Sequence, residues 1–323
     1  MAEVKKAAKQ EKMATRQAYG KALVEIGAVN KNLVVMDADL SKSTMTAEFA
    51  KVYPERFFNM GIAEQNLYAA ACGLALSGKV VCASTFAMFA AGRAFEIIRN
   101  SIGYTHANVK ICATHAGITV GEDGASHQTF EDIALMRTIP GMTVVNPSDG
   151  ASAKELIRQV IDMEGPAYVR LGRAAVPVFY DEESASKLKL GKGCCIREGK
   201  DLTIITWSRE VNFSMEAAEK LAAEGIDVEV LDLRTLVPID WEAIKASVSK
   251  THNVIIVSEE VKRGSYAGEI SAQIAEELFD ELDAPVERVC GLNIVSPFSP
   301  VLEDQNFPHP DDIVKAVKRV LNK

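Results

Sequence analysis

The sequence predicts an α/β protein with two domains, each a mostly parallel sheet flanked by helices. Short β-branched runs alternate with longer helical patterns along all 323 residues, which is typical of parallel sheets covered by helices. Four strand candidates in the first half are nearly continuous apolar runs, as expected for strands buried on both faces. The length of the chain also suggests about two domains.

The first domain, predicted to span residues 1–183, contains five strand candidates and four helical patterns. The strand candidates are Leu33–Met36, Val80–Ala83, Val109–Thr114, Thr143–Asn146 and Ala167–Leu171. The helical patterns are Thr15–Ala28, Ala63–Leu76, Ala90–Ile102 and Ser148–Met163. The lysine-rich segment Met1–Arg16 lacks an apolar core, so we interpret it as the frayed start of a helix and not as a secretory signal.

A polar stretch and a glycine turn predict a linker over residues 184–192, followed by a second domain over residues 193–323. Its strand candidates are Leu202–Thr206, Val228–Leu231, Val254–Val257 and Val286–Cys290. Its helical patterns are one that ends near Gly225, then Trp241–Val248, Ala267–Leu282 and Asp311–Leu321.

Composition excludes several classes of function. The net charge of −8 argues against general nucleic-acid binding, which requires a basic surface. No apolar run reaches the roughly 18 residues of a membrane span, so we expect no membrane association. None of the six cysteines is spaced as a zinc ligand, so we expect no metal site within this chain. Their usage is typical of the reducing cytoplasm.

The segment Gly-Ile-Ala-Glu-Gln-Asn at 61–66 places Glu64 in the first turn of an apolar helix. Desolvation disfavours the charged form of a carboxylate, so a dry Glu64 would tend to keep its proton and could hydrogen-bond to a ring nitrogen of a cofactor. Taken alone, the segment is more typical of an ordinary helix start with an acid placed for the helix dipole.

A glycine-rich loop that follows the strand candidate Val109–Thr114 carries two histidines and two acids. His115 and His127 bracket Glu122 and Asp123 in this loop. Because the loop follows a strand, it should lie at the carboxyl edge of the sheet, where ligands bind in open α/β folds. The loop is therefore a candidate site, although single histidines are more often structural.

Three other strand ends carry residues with both a structural and a functional interpretation. Phe86 and Phe89 follow one strand as core aromatics or as a platform for a ring. The polar run at 37–43 suits an anion, a sugar or a helix N-cap. Arg170 and Arg173 could clamp a phosphate or solvate an edge.

Together these residues resemble the transketolase family of thiamine diphosphate enzymes, specifically the carboxyl-terminal two-thirds of a transketolase. The resemblance covers nearly the whole chain. It implies a pyrimidine-binding domain followed by a transketolase C-terminal domain. Glu64 would contact the aminopyrimidine of the cofactor, with Phe86 and Phe89 packed on that ring and Asp39 among the cofactor contacts.

The resemblance also implies how substrate is bound and handled. His115 and His127 would bind the hydroxyls and the reacting carbonyl of a sugar phosphate and transfer protons, and Asp123 would bind a hydroxyl. The phosphate would be held by Arg16, Ser43 and Arg173. A two-carbon glycolaldehyde unit would pass from a ketose phosphate to an aldose phosphate.

Half of the family's cofactor site is absent from the sequence. No Gly-Asp-Gly motif with a following asparagine is present to bind magnesium and diphosphate. We therefore expect an obligate partner, the N-terminal transketolase subunit, which would bind Mg²⁺ and the diphosphate. We expect self-association as a dimer, within an assembly of two copies of each chain (α2β2).

Two departures from the family leave alternatives open. Gly92 stands where many transketolases have a third aromatic residue. The second domain, at 231–236 and 282–289, looks closer to the β-subunit of 2-oxoacid dehydrogenase decarboxylases. That subunit is the first alternative. A 1-deoxyxylulose-phosphate synthase fragment, disfavoured by His115, and a non-catalytic scaffold are the others.

Overall fold

The computed structural model describes residues 11–323 and contains 14 strands and 13 α-helices within that range. The strands are β1 Lys12–Met13, β2 Leu33–Asp37, β3 Phe57–Asn59, β4 Val80–Phe86, β5 Val109–Thr114, β6 Thr143–Val145, β7 Ala167–Arg170, β8 Val176–Pro177, β9 Cys194–Arg197, β10 Leu202–Thr206, β11 Val228–Asp232, β12 Thr235–Val237, β13 Val254–Val261 and β14 Glu287–Gly291. The helices are α1 Thr15–Val29, α2 Ser41–Thr44, α3 Ala47–Val52, α4 Glu64–Leu76, α5 Phe95–Ile97, α6 Asp132–Met136, α7 Gly150–Asp162, α8 Glu182–Ser186, α9 Glu210–Ala223, α10 Trp241–Thr251, α11 Tyr266–Glu277, α12 Pro300–Asp304 and α13 Pro310–Val320.

The strands form two main sheets, which confirms the predicted fold class. The first sheet has the order β12-β6-β7-β5-β4-β2-β3, and the second has the order β14-β13-β10-β11-β9. Neighbouring strands are parallel except at one edge of each sheet, where β12 and β9 run antiparallel to their neighbours. The central strands β2 and β5 are buried along their whole length, as expected for strands covered on both faces.

The two halves of the chain share structure. Strand β12 belongs to the second half by sequence but pairs with β6 at the edge of the first sheet. The largest apolar cluster contains side chains from both halves, including Ile111, Met142, Trp207 and Ile256. The exact domain boundaries at 183 and 193 stay a prediction, although the strands of the two main sheets other than β12 do lie on either side of that region.

One sequence-based expectation about local structure is wrong, and two others differ from the structure in detail. Residues 11–14, part of the expected frayed helix, are extended, and β1 pairs with β8; residues 1–10 lie outside the described range. The expected helix at 90–102 is present, but Phe89–Arg93 and Ile98–Gly103 are π-helical, with α5 between them. The expected linker starts inside α8 and buries Ala185 and Leu188.

Within residues 11–323, no helix combines the length and the apolar character that crossing a membrane requires.

Candidate active site

The candidate site lies along the carboxyl edge of the first sheet. Strands β7, β5, β4 and β2 are parallel neighbours, so their carboxyl ends meet at the same edge. The chain leaves these strands through Arg173, His115, Phe86 and Asp39 respectively. Sequence reasoning placed these residues at strand ends, and the strand order brings them together.

Glu64 is the buried acid at the start of α4, and 3% of it is exposed. Its Oε2 accepts a hydrogen bond from Nη1 of Arg93 at 3.3 Å, whereas the side chain of Arg93 is 54% exposed. The sequence analysis expected apolar neighbours and missed this cation. No second hydrogen-bonding partner of the Glu64 carboxylate occurs among the described residues, so it could still receive a ligand group.

A polar network joins the loop after β2 to the start of α4. Oδ1 of Asn59 accepts hydrogen bonds from the backbone N–H groups of Asp39 and Gly61, at 3.1 and 3.0 Å. Asp39 is exposed and has a left-handed backbone conformation, with φ of 66°. This arrangement holds Asp39 near the Glu64 helix. Its predicted contact with the cofactor stays a prediction.

Two phenylalanines and two histidines form one stacked cluster. The ring of Phe86 lies 3.9 Å from that of His115 and 6.0 Å from that of Phe89, measured between centroids. The ring of His127 meets that of Phe89 edge-on at 5.1 Å. The guanidinium of Arg93 lies 4.9 Å from the centre of the Phe89 ring. These contacts connect the acid at one end of the site to the histidines.

His115 is held as a neutral imidazole. Burial, with help from the positive charges of Arg16 and Arg173 and from His127, lowers the pKa of His115 to about 3. Its Nε2 lies 3.5 Å from Nη1 of Arg16, which can only donate. The ring proton therefore belongs on Nδ1, which lies 3.0 Å from Oγ1 of Thr114 and donates to it. His115 can thus orient a substrate without carrying charge.

Arg16 and Arg173 provide two positive charges at the other end of the site. Burial and then the charge of Arg173 lower the pKa of the Arg16 guanidinium, which shows that the two like charges act on each other. Nη1 of Arg16 donates to the backbone carbonyl of Ser43 at 2.7 Å, but its buried Nε has no hydrogen-bonding partner among the described residues. Among residues 11–323, the ion pair of Arg173 is a distant one, 3.7 Å to the exposed Glu122. An unpaired guanidinium donor near a second cation suits an anion such as phosphate.

The glycine-rich loop carries Asp123 and His127 over this edge. Asp123 is exposed, and His127 is half-buried against the phenylalanines. Nδ1 of His127 lies 2.9 Å from Oγ of Ser126. Sequence analysis missed a second-domain contact here, because Glu303 accepts a hydrogen bond from the backbone of Gly121. No local sequence signal links residues so far apart.

Two polar residues near the site have structural roles instead. Arg170 was expected to clamp a phosphate or solvate an edge, but it is buried in ion pairs with Asp132 at 2.8 Å and Glu259 at 2.6 Å. Asp37 is also buried, and it accepts hydrogen bonds from the hydroxyls of Thr44 and Thr46. Both are therefore unavailable to a ligand.

Away from the site, one group of potential metal ligands occurs among residues 11–323. It consists of Cys195, Glu198 and Glu229. The ammonium group of Lys250 forms ion pairs with both glutamates, so a cation of the protein already neutralises them.

The fold and this site define an α/β protein in which a buried acid, an aromatic cluster, two histidines and two arginines share one sheet edge. The transketolase pyrimidine-binding domain matches residues 11–178, and the transketolase C-terminal domain matches residues 191–313. The chain therefore belongs to the transketolase family, as the sequence analysis predicted.

Known relatives show how this chain corresponds to parts of transketolases. A Methanocaldococcus jannaschii protein, whose name assigns it to a transketolase C-terminal section, is 50% identical over 80% of this chain and 81% of its own length. One of the subunits of the apulose-4-phosphate transketolase of Phocaeicola vulgatus is 35% identical over 87% of this chain and 88% of its own length. A solved split-gene transketolase, described as an inactive β4 tetramer, is 46% identical over 97% of this chain and 99% of its own chain, with a TM-score of 0.85. This chain is thus a C-terminal subunit of the split type.

The transketolase family depends on thiamine diphosphate, and the residues present fit one half of that cofactor. A buried carboxylate with a free hydrogen-bonding position can bind a ring nitrogen, and the rings of Phe86 and Phe89 can pack on a pyrimidine. Gly92 supplies no third aromatic ring, but the guanidinium of Arg93 packs on Phe89 beside it.

Proposed function

We propose that this chain is the C-terminal subunit of a split, thiamine diphosphate-dependent transketolase. It would transfer a glycolaldehyde unit from a ketose phosphate to an aldose phosphate. The observation that carries the proposal is the anion pocket, in which the charge of Arg173 acts on Arg16 and Nε of Arg16 lacks a partner among the described residues. A phosphate would supply the missing acceptor and separate the two like charges.

The anion pocket also separates this proposal from the alternative of a 2-oxoacid dehydrogenase decarboxylase subunit, since a small 2-oxoacid has no phosphate to hold. The Phocaeicola vulgatus relative acts, by its name, on a phosphorylated sugar. Which ketose and which aldose this chain uses depends on hydroxyl contacts, for which Asp123 and the two histidines are the candidates.

Each residue of the site has a role in this proposal. When bound, thiamine diphosphate supplies the carbon nucleophile and the electron sink. Glu64 holds the aminopyrimidine in the required tautomer, and Phe86 and Phe89 hold its ring. His115, neutral through burial, accepts a hydrogen bond from a substrate hydroxyl at Nε2, and His127 moves protons at the reacting carbonyl.

Arg16, Ser43 and Arg173 would bind the substrate phosphate and so position its other end. The backbone carbonyl of Ser43 accepts a hydrogen bond from Arg16, and the hydroxyl of Ser43 would donate to the phosphate. Asp39 would add a polar contact at the cofactor end. Binding energy gained at the phosphate would support catalysis at the distant carbonyl.

We further propose that a partner chain, the N-terminal transketolase subunit, binds Mg²⁺ and the diphosphate. The names of the relatives, one a C-terminal section and the other one of several subunits, support a missing half. Self-association is supported by the inactive β4 tetramer described for the solved relative. We propose that it takes the form of a dimer within an α2β2 assembly. Exposed apolar side chains such as Ile62 and Val295, at 78% and 81%, also suit subunit contacts. We place the assembly in the cytoplasm, in keeping with six free cysteines.

Reconstitution tests the proposal. The purified chain, alone and with a transketolase N-terminal subunit, is assayed for glycolaldehyde transfer between sugar phosphates in the presence of thiamine diphosphate and Mg²⁺. We expect activity only in the mixture. Turnover by the isolated chain would refute the need for a partner, and 2-oxoacid decarboxylation without sugar-phosphate transfer would refute the substrate class.

The role of His127 can be tested in the same mixture. His127→Ala should lower kcat by about 10²–10⁴-fold, because that is the usual contribution of a positioned proton-transfer group. His106→Ala is the control, since His106 lies in the turn before β5, close to Gly141 and Gly165 and away from the aromatic cluster. A loss of only tenfold for His127→Ala would indicate positioning without proton transfer.

A further inference from the structure

One carboxylate oxygen of the second domain accepts two hydrogen bonds from the glycine-rich loop. Oε2 of Glu303, in the short helix α12, accepts a hydrogen bond from the backbone N–H of Gly121 at 2.7 Å. The same atom accepts another from Nε2 of Gln128 at 3.2 Å. These two donors stand on either side of Asp123 and His127, so one atom of Glu303 contacts both ends of the segment that carries them. Nε2 of Gln128 also donates to the carbonyl of Ile118 within the loop, at 2.7 Å.

Neighbouring residues of the second domain strengthen this attachment. The backbone carbonyl of Pro297 accepts from Nε2 of Gln128 at 3.2 Å. The side chain of Phe298 packs against the backbone of Gly124. A Cβ added at Gly124 would lie 3.3 Å from the Cβ of Phe298. Gly124 has a φ of 71°, so glycine at this position meets both the close approach and the left-handed backbone.

The loop needs such an attachment because its own sequence is flexible. Gly117, Gly121 and Gly124 all have positive φ values, and glycine loses more conformational entropy on ordering than any other residue. Within the loop, the backbone hydrogen bonds are confined to short turns around Gly124 and one bridge from Thr129 to Gly117. A charge-assisted hydrogen bond to a backbone N–H is stronger than these neutral bonds.

We propose that Glu303 is a positioning residue that orders the substrate loop from the second domain. This inference rests on the proposed function, because it assumes that Asp123 and His127 meet the substrate. It assigns the C-terminal domain a role in the reaction beyond holding subunits together. Glu303 does not touch the substrate; it acts through the loop backbone.

The experiment compares three variants of the reconstituted enzyme. Glu303→Ala removes the acceptor, Glu303→Gln keeps an oxygen that can accept from Gly121, and Asp304→Ala is the matched control. Asp304 is the next residue in α12, but its carboxylate faces His309 and is 69% exposed. Hydrogen exchange over residues 118–128 and the kinetic constants for a sugar phosphate are measured for each.

We expect Glu303→Ala to speed amide exchange in residues 118–128 at least tenfold and to lower kcat/KM about tenfold. Glu303→Gln should recover most of both losses, and Asp304→Ala should match the wild type. If Glu303→Ala does not fold, Glu303→Asp, whose shorter side chain withdraws the carboxylate from Gly121, should raise exchange in the same residues. Unchanged exchange in Glu303→Ala, or in Glu303→Asp where that variant replaces it, would overturn the proposal.

The two proposals fail in different ways. If the protein has no transketolase activity, the exchange measurement still shows whether Glu303 orders the loop. If exchange rises in Glu303→Ala while kcat/KM stays at the wild-type value, the loop is ordered by Glu303 but does not serve catalysis, and the positioning role is refuted.

Discussion

The carboxyl edges of the two main sheets differ in their surroundings. The edge of the first sheet carries Glu64, the histidines and the arginines around an open site. The edge of the second sheet ends in Asp232 and Glu259, which are buried against the first domain. There Ser148 donates to Asp232 at 2.6 Å, and Arg170 donates to Glu259 at 2.6 Å. The first edge is the proposed ligand site, and the second joins the domains.

This difference shows that strongly shifted acids do not always mark a catalytic site. Burial raises the pKa of Glu210 and of Glu260 to about 8 and that of Asp232 to about 6, and all three lie at or near the domain interface. Shifted pKa values suggest functional sites only as a probability. In this protein, the open sheet edge and the aromatic cluster indicate the candidate site better than the shifted pKa values do.

The largest expected effect is a loss of activity on substitution of Glu64, at the carboxyl edge of the first sheet. Glu64→Ala should lower kcat of the reconstituted enzyme by about 10⁴-fold, the upper range for a proton-handling group. The fold should survive, because the only protein partner of the carboxylate among the described residues is the half-exposed Arg93. Steady-state kinetics and thermal unfolding measure both outcomes. Arg93→Ala, which keeps the acid, is the control and should lose far less; near-normal turnover in Glu64→Ala would remove Glu64 from its role.

The next largest effect is a loss of stability when the ion pairs of Arg170 with Asp132 and Glu259 are removed. Arg170→Met should lower the free energy of unfolding by about 3–5 kcal/mol, because it leaves Asp132 and Glu259 buried without their cation. Urea unfolding measures the loss. Arg158→Met is the matched control, since Arg158 is 53% exposed and its ion pairs should contribute about 1 kcal/mol or less. Equal losses in the two variants would show that burial of the interface pair is unimportant.

The contrast between these edges also shows what the sequence can predict. Strands such as β2 and β5 and the helix α4 were predicted within one or two residues, because local periodicity and burial on both faces determine them. The ends of parallel strands then predicted which residues could meet. The grouping of Phe86, His115 and Arg173 follows from topology alone.

Contacts over long sequence separations could not be predicted. The ion pair of Arg170 with Glu259 spans 89 positions, and the hydrogen bond of Gly121 to Glu303 spans 182. Arg170 was expected at an exposed edge because no local pattern indicates a partner from another domain. The addition of β12 to the first sheet escaped prediction for the same reason.

A smaller effect is the dependence of stability on pH that the buried Glu210 causes near the domain interface. Burial, opposed by Arg209 and supported by Glu259, raises the pKa of Glu210 to about 8. The folded protein then binds more protons than the unfolded chain, so stability falls as pH rises from about 4.5 to about 8. Glu210→Gln cannot ionise and should flatten this decline by about 1.4 kcal/mol or more, the value of one pKa unit. Unfolding curves at pH 5 and pH 8 measure the slope, and identical slopes in variant and wild type would contradict it.

The smallest effect concerns the anion pocket and decides what the open edge binds. Arg173→Ala should raise KM for phosphorylated sugars about fivefold, close to 1 kcal/mol, because Arg16 still holds the phosphate. KM for unphosphorylated analogues should stay the same, and kcat should change little. Lys42→Ala is a control for general loss of positive charge, since Lys42 is exposed beside the pocket. An equal rise in KM for both kinds of sugar would mean that Arg173 supports the loop through Gly121, which its guanidinium approaches closely, and not the phosphate.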